Sequence, residues 1–389
     1  MATPTISLDR TDPYHPPAEH VRLQSDAPTS WVELPGGRRL WVLTRHEDVR
    51  AMLADPRFSS DRRDPRHPNH QPYVGADHHR QLIEMDPPDH TRLRRSVVGE
   101  FTVQRLAAWR PRIQEIVDEA IDAMLTGPSE ADLVEALALP VPSLVISELL
   151  GVPYADHDFF QENSAEFVRV DTTPEQKTAA IGRLQAYIAD LVQAKVESPG
   201  DDLLSRQIAA GADRADLVAL GFLLLIAGHE TTANMISLSV ATLLDKREHL
   251  AALRDDPELT VGAVEELLRY FTIAEVGAAR LAVEDIEIGG VLIRAGEGVL
   301  GLTNTANRDA SVFPDPDAID FTRMARNHLA FGFGPHQCLG QNLARLELEI
   351  VLATLLRRVP ALRLAVPFEK IPFKDRGSNY GIFELKVAW

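Results

Sequence analysis

The sequence predicts a mainly helical protein with a smaller β-rich part. Between about residues 90 and 272, apolar residues recur at three- and four-residue intervals, as they do on the buried faces of helices. A second helical pattern covers about 339–358, whereas short segments in about 26–60, 275–325 and 362–389 indicate strands and turns. The sequence shows neither an internal repeat nor the strand–helix alternation of a doubly wound sheet, so a helical array beside small sheets is expected.

The N-terminal part starts with a predicted β-hairpin. Residues 31–35 and 39–43 have strand-like patterns on either side of a Gly-Gly pair. Thr44 and Glu47 have the spacing of a capping box, which predicts a helix directly behind the hairpin. From 55 to 89 the periodicity is lost and Pro, His, Arg and Asp dominate. A loop of that length is usually functional or disordered.

The longest helical pattern runs from about 215 to 244. Its most apolar stretch, 217–227, is too short for the roughly 20 residues that span a bilayer, so no membrane span is expected. Further on, 281–288 and 291–293 flank a second Gly-Gly pair and predict another hairpin.

Charge and targeting signals narrow the range of partners and locations. The 389 residues carry 40 Lys and Arg against 57 Asp and Glu, a net charge of -17, which disfavours nucleic acid as a partner. Residues 1–17 lack the apolar core of a signal peptide, so a cytoplasmic protein is expected.

The chain has one cysteine, Cys338, which excludes an intramolecular disulfide and an all-cysteine metal site. A lone cysteine is either a buried, inert thiol or a single reactive or ligating thiolate. Cys338 lies in the sequence FGFGPHQCLG (331–340), between a glycine-rich turn and a predicted helix start. Gly332 and Gly334 permit a close approach to a flat ligand, and the helix N-terminus favours the thiolate, a good ligand for iron.

The long helix carries a second informative segment, AGHETT (227–232). Helical spacing places on one face Leu224, Ala227, Gly228, Thr231 and Met235. Small residues at 227 and 228 leave a hollow beside a flat ligand, and the polar Glu230 and Thr231 favour a local widening of the helix. The alternative, purely structural interpretation of this segment is a buried polar cluster that stabilises a kinked helix.

Together these segments resemble the cytochrome P450 family, the haem-thiolate monooxygenases. Glu266-Leu267-Leu268-Arg269 is similar to the E-x-x-R motif of that family, and Arg323 matches the arginine that completes its charged triad. The resemblance implies the cytochrome P450 fold as a single domain over residues 1–389. Haem b would lie between the long central helix and the cysteine-loop helix, with the thiolate of Cys338 on the iron.

The resemblance also implies roles for individual residues. Glu230 and Thr231 match the catalytic acid and alcohol that deliver protons to dioxygen. The residues implied to bind the cofactor are His90, Arg94, Ala227, Gly228, Arg280, Phe331, His336, Cys338 and Gly340. The implied substrate pocket includes Leu82, Ile83, Val168, Val170, Ile226, Met235, Thr272, Ile273 and Ile382. A rival metal site at His67, His70, His78 and His79 lacks ligand spacing, so these are interpreted as loop residues.

The expected activity is insertion of one atom of dioxygen into an apolar or amphipathic organic molecule, by hydroxylation or epoxidation. The chain carries no flavin or iron–sulfur signature, and the resemblance implies electrons from a ferredoxin and its NAD(P)H-dependent reductase. Arg92 and Arg95 are candidates for the docking patch on a monomeric protein. The arginine-rich composition resembles actinomycete members that act in secondary metabolism or on xenobiotics.

Three alternatives remain open at this point. One keeps the haem-thiolate but uses peroxide-driven oxygenation, phenol coupling or isomerisation. The second is a haem sensor or carrier without turnover. The third is a helical binding protein without a cofactor.

Overall fold

The structure, a computed structural model, describes residues 6–7, 9–33, 37, 39–68, 80–156, 159, 162–163, 173–274, 277–375 and 379–389. Two of the expected pocket residues, Val168 and Val170, lie outside the described residues. The same holds for His70, His78 and His79 of the rival metal site.

Helices dominate the described part of the chain, as predicted. The α-helices are α1 (Ala18–Asp26), α2 (His46–Ala54), α3 (Asp89–Val97), α4 (Val103–Ala107), α5 (Arg110–Thr126), α6 (Pro140–Leu150), α7 (Pro174–Glu197), α8 (Leu203–Ala209), α9 (Arg214–Asp245), α10 (Arg247–Asp255), α11 (Thr260–Phe271), α12 (Thr303–Ala306) and α13 (Gln341–Arg358). A π-helical turn at Val134–Ala138 precedes α6.

The strands form small sheets. They are β1 (Thr29–Glu33), β2 (Arg39–Leu43), β3 (Phe58–Ser59), β4 (Glu130–Asp132), β5 (Ala279–Ala282), β6 (Ile286–Ile288), β7 (Val291–Ile293), β8 (Gly298–Gly301), β9 (Arg363–Leu364) and β10 (Lys386–Ala388). One sheet has the order β1-β2-β8-β5-β3, a second β4-β10-β9, and β6 and β7 pair as a hairpin. Both predicted hairpins are therefore present, although β5 pairs with β8 and β3 rather than with β6.

The long helix α9 is the centre of the helical part. It begins where the Asp213 carboxylate accepts hydrogen bonds from the N–H groups of Ala215 and Asp216. It packs against α6, α7 and α13, and the segment 232–244 is buried throughout. Its length and composition would suit a membrane span, and half of its most apolar window lies buried inside the protein. Since this protein places α9 among other helices, its apolar character is that of a core element.

Two local predictions were wrong. Thr44 does not cap α2, because its hydroxyl donates to the Pro28 carbonyl. The helix begins instead at His46, whose N–H donates to the carboxylate of Asp309 from a distant part of the chain. The expected widening of α9 is also not found: the helix is unbroken, and the Thr231 hydroxyl donates to the Ala227 carbonyl at 2.7 Å.

The charged triad fixes the segment that leads towards the cysteine loop. Glu266 accepts two hydrogen bonds of 2.8 Å from the fully buried Arg269 and one of 3.1 Å from Arg323. Both arginines also donate to the carbonyl oxygen of Ala318. A backbone group makes that contact, so it does not depend on the side chain at position 318.

Candidate active site

The cysteine loop is closed by its own backbone. The N–H of Cys338 donates to the carbonyl of Phe331 at 2.8 Å. Gly332 and Gly334 have positive φ angles of 68° and 71°, which favour glycine. A side chain at Gly334 would also meet the carbonyl oxygen of Leu53 at 2.5 Å, so this glycine lets the loop lie directly on α2.

The Cys338 thiol is accessible although protein surrounds it, and this recess is called the cleft below. The surrounding protein raises the pKa of the thiol through burial. The N–H groups of Gly340 and Gln341 and the charges of Arg94 and Arg345 act in the opposite direction. The expected stabilisation of the thiolate by the helix start is thus present but is outweighed by burial. Binding of a metal cation at the sulfur would reverse that balance.

A group of basic side chains lies beside the thiol. The rings of His90 and His336 are 4.1 Å apart, and the charges of Arg94 and Arg280 act on both. Burial, aided by these charges, lowers the pKa of His336 to about 3 and also lowers that of His90, so both imidazoles are neutral at neutral pH. Arg280 keeps its charge, since burial lowers its pKa only to about 10.

This group fits the carboxylates of a haem. Arg280 is 8% exposed and donates to the neighbouring Ala279 carbonyl, and within the described residues it forms no ion pair. Both ring nitrogens of the buried His90 lack a hydrogen-bond partner among the described residues. Buried cations and orphaned imidazole nitrogens need an acceptor. Two charged arginines and two imidazole donors match the two negative charges of the haem propionates.

One face of α9 opens towards the same cleft. Ala227 is exposed although it lies in the middle of a core helix. Leu223 and Thr231, four residues before and after it, are half-buried, and so is the adjacent Ile226. Leu223 of α9 and Leu339 of the cysteine loop pack against the same apolar cluster, formed by Leu82, Met85 and Leu93. This face of α9 therefore lies beside the cysteine loop. The predicted position of Ala227 at the hollow agrees with this arrangement.

Gly228 has a different environment from the one expected. A side chain at Gly228 would meet Ile146 of α6 at 3.3 Å. Glycine at this position therefore allows two helices to approach closely, rather than forming the hollow together with Ala227. Gly340 has no such constraint, because open space surrounds the position of its missing side chain.

Sequence reasoning missed the partner of Glu230. Lys374, from the C-terminal part of the chain, donates to Oε1 of Glu230 at 3.3 Å and to Oδ1 of Asn234 at 2.9 Å. The contact joins residues 144 positions apart in the sequence, so no local motif could predict it. His67, interpreted from the sequence as a loop residue, lies outside helices and strands but is buried, and its pKa is lowered to about 4 by burial and by the charges of Arg62 and Arg280. Within the described residues, no group of His, Cys, Asp and Glu side chains could hold a metal ion by itself.

The expected pocket residues separate into open and closed positions. Ile83 is 42% exposed and Ile226 is half-buried, so both have free apolar surface. Met235 is buried in the main helical core. The Thr272 hydroxyl is used internally, donating to the Arg269 carbonyl and accepting from the Asn307 amide. The remaining described candidates are buried with little exposed surface: Leu82, Ile273 and Ile382.

Comparison with known proteins identifies close relatives over the whole chain. A family model described as Cytochrome P450 matches residues 175–378. Pentalenic acid synthase of Streptomyces avermitilis is 51% identical over 388 residues, covering 98% of this chain and 96% of that protein. Vitamin D3 dihydroxylase of Streptomyces griseolus is 48% identical over 394 residues, covering 99% and 97%. The crystal structure of cytochrome P450 MoxA from Nonomuraea recticatena is 53% identical with a TM-score of 0.92, covering 100% of this chain and 99% of that one.

Proposed function

This chain belongs to the cytochrome P450 family and is a haem-thiolate monooxygenase of the bacterial, actinomycete type, and from that premise we propose how its own residues serve the reaction. The fold is the cytochrome P450 fold, and the cofactor is haem with a cysteine thiolate as axial ligand. The proposal is that residues 1–389 act as one domain that oxidises an apolar or amphipathic organic molecule with electrons from a ferredoxin.

Five side chains would hold the haem, one through its iron and four through its propionates. Cys338 would supply the thiolate, while Arg94, Arg280, His90 and His336 would bind the propionates. Thiolate-ligated haem supplies the redox chemistry that cleaves the O–O bond of dioxygen. The observation that carries this assignment is the accessible thiol beside the charges of the buried Arg280 and the half-buried Arg94, neither of which has an ion-pair partner among the described residues.

Thr231 and Glu230 would deliver protons in the cleft. The Thr231 hydroxyl donates its hydrogen to the Ala227 carbonyl, so its oxygen lone pairs remain available to accept a hydrogen bond from a water molecule. Glu230, the residue directly before Thr231, is an ionisable group that would exchange protons with that water. Together the two residues would supply what a water-poor site needs: a hydroxyl group in a fixed position and an acid that can be reprotonated from solvent.

The test is the absorption spectrum of the reduced protein under carbon monoxide. The purified wild type should show the band of a thiolate-ligated haem, and Cys338→Ser should lose it together with oxidation of any substrate. Thr232→Ser, a conservative change at a buried neighbour of Thr231, serves as a folding control and should retain the band. A histidine-type band in well-folded wild type would overturn the assignment of Cys338.

The substrate is proposed to be largely apolar. The open wall of the cleft presents Ile83, Ile226 and Ala227, which offer apolar contacts. One relative is named a vitamin D3 dihydroxylase, and vitamin D3 is itself mostly apolar. Spin-state difference spectra over a panel of sterol-like, macrolide and terpenoid compounds should show tight binding for apolar members, and tight binding only of small charged compounds would refute this class.

Ferredoxin is proposed to dock near α3. Arg95 is exposed and forms no ion pair with any described residue, whereas Arg92 is bound to Asp216 at 2.9 Å. Arg95 is therefore the freer of the two predicted docking residues. Arg95→Glu should slow ferredoxin-driven turnover more than Arg92→Glu does, with substrate binding unchanged. Equal rates for both variants and wild type would exclude this patch, and turnover that needs only peroxide would favour the peroxygenase alternative.

A further inference from the structure

Lys374 joins the proposed proton donor to a distant segment of the chain. Its Nζ lies 3.3 Å from Oε1 of Glu230 and 2.9 Å from Oδ1 of Asn234. Glu230 and Asn234 are four residues apart on α9, so one ammonium group binds two successive turns of the same helix face. The side chains of Lys374 and Glu230 are each 13% exposed, which makes this a largely desolvated contact.

The backbone around Lys374 fixes where its side chain starts. The N–H of Lys374 donates to the carbonyl of Gly381 at 2.8 Å, and Phe373 pairs with Ile382. Gly381 in turn lies so close to α9 that any side chain there would overlap the amide of Asn234. The turn that carries Lys374 is therefore anchored to α9 at the point where the ammonium group makes its contacts.

Within the described residues, Glu230 is the anionic partner of Lys374, and the other groups near its ammonium group are uncharged. His229 is buried beside it, and burial together with the charge of Lys374 lowers the pKa of that imidazole to about 4, so His229 is neutral. The ring of Phe383 has its centroid 5.6 Å from Nζ and offers a weaker, cation–π contact. Buried Asn234 keeps its amide nitrogen without a partner among the described residues, which suits a bridging water.

The bond between Lys374 and Glu230 is loose for a charged pair. Charge-assisted hydrogen bonds are commonly about 2.7–2.9 Å long, and this one is 3.3 Å. The shorter bond to Asn234 holds the ammonium group, while the carboxylate is held less tightly. Lys374 can therefore orient the Glu230 carboxyl group through a long hydrogen bond that leaves the group free to exchange a proton.

Resting on the proposed function, we propose that Lys374 is a positioning residue: it holds the Glu230 carboxyl group in the orientation from which, when protonated, it passes a proton to the water bound by Thr231. Each proton that the Glu230 carboxyl group gives to the water bound by Thr231 is replaced by a proton from bulk solvent, so the carboxyl group returns to its starting state. Lys374 transfers no proton in this scheme. It acts through Glu230 and touches neither substrate nor cofactor.

The test compares Lys374→Met, which keeps the length of the side chain but removes the charge, with Lys374→Arg. Lys386→Met is the matched control, because Lys386 forms an exposed pair with Glu384 at 2.9 Å in the same C-terminal segment. Lys374→Met should lower kcat for product about tenfold and raise the share of reducing equivalents lost as peroxide. Lys374→Arg should recover most of both, and Lys386→Met should behave as wild type.

Binding spectra and melting curves separate positioning from packing. Substrate dissociation constants from the spin-state shift should be the same in all variants, since the proposed role lies in proton delivery. In a double-mutant cycle, Lys374→Met should add little to the loss of coupling already caused by Glu230→Gln. A lowered melting temperature with unchanged kcat and peroxide loss would show that Lys374 is structural only and would overturn the inference. If wild type itself lacked the thiolate band or turnover, the proposed function would fail instead.

Discussion

Glu347 provides a direct test of how burial controls ionisation in the helical core. The residue lies in α13, is 3% exposed, and its Oε2 has no hydrogen-bond partner among the described residues. Burial raises the pKa of its carboxyl from the ordinary value of 4.5 to about 8. The folded protein therefore holds this proton more tightly than the unfolded chain does, and the group is protonated in the folded state at neutral pH.

The sign of the pH dependence follows from that difference. Below pH 4.5 the carboxyl is protonated in both states and its ionisation does not affect stability. Between pH 4.5 and about 8, unfolding releases the proton, so the free energy of unfolding falls as the pH rises. Each pKa unit corresponds to about 1.4 kcal/mol, which sets the total loss above pH 8 at no more than about 5 kcal/mol. Glu347→Gln removes this loss, because an amide is neutral at every pH.

The assay is thermal unfolding of wild type and Glu347→Gln at pH 6 and pH 8.5. The variant should gain stability relative to wild type as the pH rises, with a gain of about 2–3 kcal/mol between these two values. Glu349→Gln, two residues further along α13, is the matched control, since Glu349 forms a partly exposed pair with Arg110 at 2.9 Å. It should lose no more than about 1 kcal/mol and show no such gain. Parallel pH profiles for Glu347→Gln and wild type would refute the assignment of a buried, protonated carboxyl.

Two further changes test the framework around the site. Glu266→Gln removes the charge that compensates the fully buried Arg269 and the nearby Arg323. The free energy of unfolding, measured with denaturant, should fall by about 3–5 kcal/mol. A fall of less than about 1 kcal/mol would show that the triad contributes little to stability. Gly334→Ala combines a positive φ angle with overlap of the Leu53 carbonyl, and should cost about 1–3 kcal/mol and weaken haem retention measured by absorbance. An unchanged melting temperature in that variant would contradict the close packing of the loop on α2.

The sequence predicted those features whose causes are local. The limits of α9 agree with prediction to within one residue at each end, because its apolar pattern is long and Asp213 caps its first turn. The two hairpins follow from glycine pairs between short apolar segments. The start of α2 was misplaced since its cap comes from Asp309, which lies 263 residues further along the chain.

Side-chain direction was harder to predict than position. Met235 and Thr272 lie in segments that family resemblance places near the pocket, but Met235 is buried in the helical core and Thr272 bonds to backbone and to Asn307. A neighbourhood inferred from resemblance does not say which face of an element a residue occupies. Lys374 shows the converse, since its contact with Glu230 joins residues 144 positions apart and leaves no trace in local spacing.

The distribution of charge explains why an acidic protein can hold an anionic ligand at its centre. The net charge of -17 describes the chain as a whole, whereas the side chains near the thiol are His90, His336 and the cations Arg94 and Arg280. These residues come from three separate segments, and only folding brings them together. Because Arg280 is buried without an ion pair among the described residues, its charge is a cost to the fold until an anion meets it. In the proposed assignment, the haem propionates would meet this charge while the iron binds the Cys338 thiolate.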